Sequence, residues 1–142
     1  MNRYLCAAML GVGSGMRTSA APFAARWKRS GVFPRGAAVA LAGELLIDKM
    51  PFAGPRTGPG ALVARAAAAA FAACSVEANT GRQRTAIVAL AAACAVGSAF
   101  AMMSARRSLV AKTGLPDPAV ALLEDALAIW LALAALRANG NA

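Results

Sequence analysis

TAIVALAAACAVGSAFAMMSARR (85–107) decides the architecture. The 21 residues from Thr85 to Ala105 carry no charge, and Arg106-Arg107 follows directly. At 1.5 Å rise such a run makes a helix of about 31 Å, close to the roughly 30 Å of a bilayer's hydrocarbon core. The flanks repeat the theme. PAVALLEDALAIWLALAAL (118–136) lies downstream and LVARAAAAAFAACSVEA (62–78) upstream. A further apolar stretch runs from about Tyr4 to Ala25, interrupted by Arg17-Thr18-Ser19, and a short one covers 37–50. Five segments in 142 residues predict an all-α fold: a small polytopic transmembrane helix bundle of about four to five helices, one integral membrane domain over 1–142. The segment 37–50 makes only about 21 Å of helix, so it reads as a half-helix, a re-entrant element or a helix in a thinned region. PFAGPRTGPG (51–60) is too rich in Pro and Gly for a helix to survive.

Composition agrees. The chain is 59% hydrophobic, with a mean hydropathy of +0.57, against about 45–50% apolar in an ordinary soluble domain. The net charge of +9 raises nucleic acid as a partner. The basic residues, however, fall between apolar stretches and build no continuous face, the pattern of loops flanking membrane spans. We therefore expect the lipid bilayer as partner and no nucleic acid. With no His, the commonest metal ligand and general base is missing. Cys6, Cys74 and Cys94 are odd in number, far apart and embedded in Ala-rich runs, which reads as small apolar packing. The start, MNRYLCAAMLGVGSGMRTSAAP (1–22), has signal-peptide features, but its share in an internal repeat makes it part of the fold.

That repeat pairs Val12-Gly13-Ser14 with Val96-Gly97-Ser98, Gly31-Val32-Phe33-Pro34 with Gly114-Leu115-Pro116, Ala38-Val39-Ala40-Leu41 with Ala119-Val120-Ala121-Leu122, and Glu44 with Glu124. The units, 4–50 and 85–136, are separated by one segment, so an inverted repeat across the membrane is expected, with a site near the midplane where the units meet. Five crossings place 7 Lys and Arg on one side and 8 on the other, which gives no orientation.

GELLIDKMPFAGPRTGPGALVAR (43–65) and GLPDPAVALLEDALAI (114–129), with GMRTSAAP (15–22), resemble the bacterial membrane family called domain of unknown function 4126. The matching positions are Glu44, Asp48, Lys49, Pro51, Arg56 and Thr57, then Leu115, Pro116, Asp117, Glu124 and Asp125; Gly58 departs from the family's more polar residue. The resemblance implies a multi-span protein of the bacterial cytoplasmic (inner) membrane and brings no known activity.

The acidic residues carry the functional question. Glu44 and Asp48 are four apart, on one face of a helix. Glu124 and Asp125 are adjacent, about 100° apart around a helix, and point different ways. A charge at the bilayer centre costs about 2.5–3.5 kcal/mol or more and usually faces a bundle interior or a wet cavity. Arg17, Arg56 and Arg65 are the cations placed to pair with them, and Arg stays charged when buried. Together these seven form a candidate intramembrane polar site. It has two readings: a small transporter or channel-like protein taking up a proton or small solute, or a structural or accessory protein whose pairs serve packing and assembly, including assembly as a homo-oligomer. No enzyme, metal site or cofactor is expected, since no nucleophile stands beside a base and no metal-ligand spacing occurs. Gly11-Val12-Gly13-Ser14-Gly15 fails the dinucleotide pattern at Met16. Gly11 and Gly15 instead make a GxxxG packing face, with Gly97 offering a similar one.

Overall fold

The structure is a computed structural model and describes residues 2–30, 35–47, 58–76, 81–114 and 116–139. All regular elements among them are helices: α1 (Arg3–Met16), α2 (Ala20–Ser30), α3 (Arg35–Ile47), α4 (Pro59–Val76), α5 (Arg82–Thr113) and α6 (Asp117–Asn139). Three of them, α4, α5 and α6, are long and apolar enough to cross a membrane, as the sequence led us to expect.

The first apolar stretch is two helices rather than one. Pro22 has no N–H to give the carbonyl of Thr18, and its ring would clash there in a continuous helix. The chain therefore opens at Arg17, whose backbone is extended (φ −139°, ψ 118°) and whose N–H closes α1 on the Gly13 carbonyl at 2.9 Å. The Ser14 hydroxyl lies 3.5 Å from the carbonyl of Thr18 and 3.2 Å from that of Arg65. After the turn α2 runs back along α1. Ala20 packs with Met16, while Ala21, Ala24 and Ala25 join Leu10 and Cys6.

A second departure concerns α5. It does not stop at Arg106-Arg107 but continues to Thr113, 32 residues or about 48 Å. Gly114 ends it in the left-handed conformation (φ 65°), its N–H bonded to the Val110 carbonyl at 3.1 Å, a conformation glycine adopts without a side-chain penalty. Pro59 and Pro118 stand in the first turns of α4 and α6, where a missing N–H costs nothing.

Helix α1 is the central post. Its small residues let three neighbours approach closely. A Cβ at Gly11 would collide with the Ala91 carbonyl, one at Gly15 with the Ala95 carbonyl and Ser98 Oγ, and one at Gly13 would stand 3.1 Å from the Ala128 carbonyl. The partner face on α5 is Ala91, Ala95 and Ala99, all buried. Gly97 points elsewhere and would meet nothing within 4 Å, so the small face of α5 is made by alanines on the opposite side of the helix. These contacts also set direction. Ala7 packs near Ile87, Gly11 on Ala91 and Gly15 on Ala95, so α1 and α5 run parallel. Ala7 packs with Ala73 and Ser14 meets Arg65, so α4 runs against α1. Cys6 meets Ala135 and Gly13 meets Ala128, so α6 does too.

This geometry corrects the inverted repeat. Inversion would send the two VGS-bearing helices in opposite directions, and they run the same way. The first unit also contains an extra helix, α2, between its VGS and AVAL segments, whereas α5 leads directly to α6.

The interior is mostly alanine, with Leu10, Met16, Ile87 and Leu136 as larger members. Bulky apolar side chains lie outside: Leu123 is 66% exposed and Trp130 63%, and Val63, Phe71, Phe100 and Leu122 are exposed as well. Gly15→Ala should therefore destabilise the bundle by about 1–3 kcal/mol through overpacking, while Gly97→Ala should leave it unchanged or slightly firmer. Thermal unfolding of the two variants in detergent checks this.

Candidate functional site

The buried charges gather where α1 ends. Arg17 is 2% exposed although it sits at a break between helices. Its Nε donates to Oδ1 of Asp125 on α6 in a buried ion pair. Asp125 is 6% exposed. Arg65 of α4 is also buried, and its Nη1 donates to the Gly15 carbonyl. The last carbonyls of a helix lack intrahelical partners and carry the negative end of its dipole. A guanidinium is a fitting cap there, and α1 has one arginine within its cap and a second reaching it from α4.

Glu124, one residue before Asp125, turns the other way round α6. It is 8% exposed, and its Oε2 lies 3.7 Å from Nη1 of Arg106 on α5. The two neighbouring carboxylates thus serve different interfaces, Asp125 toward the α1–α2 turn and Glu124 toward α5. Their surroundings also differ. A half-open groove of about 510 Å³ lies between α4, α5 and α6, lined by Arg65, Arg106, Arg107 and Glu124 together with apolar residues including Met102 and Met103. Arg17 and Asp125 take no part in lining it.

Of the seven residues expected to form the polar site, Arg17, Asp125 and Arg65 meet at the end of α1, while Glu124 turns to Arg106 on α5. Asp48 and Arg56 lie outside the described residues. Glu44 falls on α3, but its side chain lies outside them too, so its expected pairing is not described. Arg106 is the partner that sequence reasoning misses, because a double arginine directly after 21 uncharged residues reads as the end of a span. Gly114, a helix-stopping residue just after Lys112-Thr113, was the available signal that α5 continues past the arginines. Of the cysteines, Cys6 is buried with its Sγ 3.5 Å from the Ala135 carbonyl, while Cys74 and Cys94 are half-buried and unbridged.

Comparison with protein-family models, curated proteins and solved structures finds no match to this chain.

Removing the Asp125 carboxylate takes from buried Arg17 its anionic partner. Asp125→Asn should cost about 3–5 kcal/mol of stability, as breaking a buried pair does. The double change Arg17→Met with Asp125→Leu should recover much of that loss. A double-mutant cycle on thermal or denaturant unfolding measures both.

Proposed function

We propose that this chain is a small integral membrane protein whose working group is Glu124, a transporter or channel-like protein that takes a proton or small solute into the groove between α4, α5 and α6. The observation that carries the reading is the place of Glu124: Asp125 is paired with Arg17 and takes no part in the groove, whereas Glu124 lines it with three arginines.

The membrane assignment is supported by three apolar spans, by the outward-facing Leu, Phe and Trp side chains, and by charges held inside. A soluble domain has the reverse distribution.

The accessory reading has one observation in its favour: the Arg17–Asp125 pair is buried and ties two helices together. Flux separates the two. In proteoliposomes carrying a pH gradient, the wild-type protein should dissipate the gradient and Glu124→Gln should not, while circular dichroism shows the variant folded. A wild type that never dissipates it, or a Glu124→Gln protein that does so at the same rate, would favour the accessory reading.

A further inference from the structure

We infer that α1 and α2 form a re-entrant hairpin, which enters the membrane and leaves it by the same face, and that its tip closes the inner end of the groove. A ligand therefore reaches Glu124 from the opposite face, the one where α5 ends. The inference adds sidedness to the groove, and it rests on the reading of the chain as a membrane-embedded bundle but not on transport. Direction is the first reason. Ala20, just past the turn, lies with Met16 and Ala128, while Ala24 and Ala25 lie with Cys6, Ala135 and Leu136. On α6 the first of these levels is that of the end of α1, and the second that of its beginning, since Gly13 meets Ala128 and Cys6 meets Ala135. Both helices of the pair thus open toward the end of the bundle that holds Arg3.

Length is the second reason. Helix α1 makes only about 21 Å, and the spans beside it continue past its tip. Arg65 reaches Gly15 and Arg17 reaches Asp125, so Arg65 and Asp125 mark the level of the tip on α4 and α6. Beyond that level α4 extends about 9 Å to Pro59 and α6 about 12 Å to Asp117. Helix α5, where Gly15 meets Ala95 and Ser98, extends about 21 Å from Ala99 to Thr113. The tip thus lies among the spans and not beyond them. Irregular backbone is tolerated at such depth where protein buries it, and Arg17 is buried. The third reason is one face of α5. Ile87, Ala91, Ala95 and Ala99 recur every fourth residue and are buried on the side of α1. Met102, Arg106 and Val110 continue this face at helical spacing and line the groove. The groove is the part of that face that α1 leaves uncovered, and it begins where α1 stops. The hairpin is then the barrier between Glu124 and the other face of the membrane.

The test counts labels on single molecules, so it does not depend on which way the protein inserts. Cys6, Cys74 and Cys94 are changed to Ala, and pairs of cysteines are placed in the full chain, which is reconstituted into sealed vesicles. A small membrane-impermeant thiol reagent is added outside, and intact-protein mass spectrometry counts the labels. Asn2, Arg26 and Lys112 are exposed, and Met103 lines the groove. With Asn2→Cys and Arg26→Cys together, each molecule should carry none or two, because the sites share a face. With Asn2→Cys and Lys112→Cys, each should carry one. Met103→Cys should give none or two beside Lys112→Cys, and one beside Asn2→Cys. Trp27→Cys, at the neighbouring exposed position, repeats the Arg26 measurement in an independent variant. A single label on the Asn2 and Arg26 positions would mean that the hairpin crosses, and would overturn the inference. So would a single label on the Met103 and Lys112 positions, or a Met103→Cys that reacts from neither face. Two labels on every molecule at the Asn2 and Lys112 positions would show a chain that spans nothing, and the membrane reading would fall together with this inference. The expected counts in a protein without Glu124-dependent flux would refute transport and leave the hairpin standing.

Discussion

Arg17 sits at the point where Pro22 forces the first apolar stretch to open, and its guanidinium meets Asp125 on the last helix. One ion pair thus ties the α1–α2 turn to α6 across 108 residues of chain. Its energetic role is specific. In a low-dielectric interior an ion pair gains little over well-packed apolar residues of the same size, because both ions must leave water. What it adds is discrimination, since any register that separates the two leaves a buried charge without its counter-ion. With Arg65 reaching the Gly15 carbonyl from α4, the end of α1 is pinned from two sides. The position of the α4–α5–α6 groove follows from these fixed helices.

Size complements charge. Lipid offers no hydrophobic gain for burying leucine, so helices in a bilayer associate through close packing and polar contacts. The residues facing one another here are Gly11 and Gly15 against Ala91 and Ala95, and Gly13 against Ala128. Ser14 and Ser98 add hydroxyl bonds to neighbouring backbones, Ser98 Oγ lying 3.3 Å from the Val12 carbonyl. Many of the bulky residues, Trp130, Leu123 and Phe71 among them, line the outer surface of the spans. Mostly small residues within, charges paired inside and large apolar groups outside form one consistent solution to one solvent.

Much of this was legible in the chain. The uncharged run 85–105 announced a span, and acids in apolar company announced an interior polar cluster, because the cost of a lone charge in lipid admits few alternatives. Gly11 and Gly15 could be read as a contact because their spacing puts both on one face. Other features depended on partners that are distant in sequence. Nothing local to Arg17 distinguishes Asp125 from Glu124 as its counter-ion; the rotation of α6 against α1 decides that. Arg106 was read as a boundary because a double arginine usually ends a span, whereas the helix continues until Gly114 stops it. The inversion expected of the repeat could not be read locally, because direction, which decides whether a repeat is inverted, is visible only in contacts.

The central claim is that the bundle carries its charges inside and its large apolar side chains in lipid. Trp130, exposed on α6 about one and a half turns beyond Asp125, reports on it directly. In liposomes, with Trp27→Phe to remove the other indole, bromine atoms on the lipid acyl chains should quench Trp130 strongly and aqueous iodide should not. Strong iodide quenching with no effect of brominated chains would place that surface in water and contradict the account.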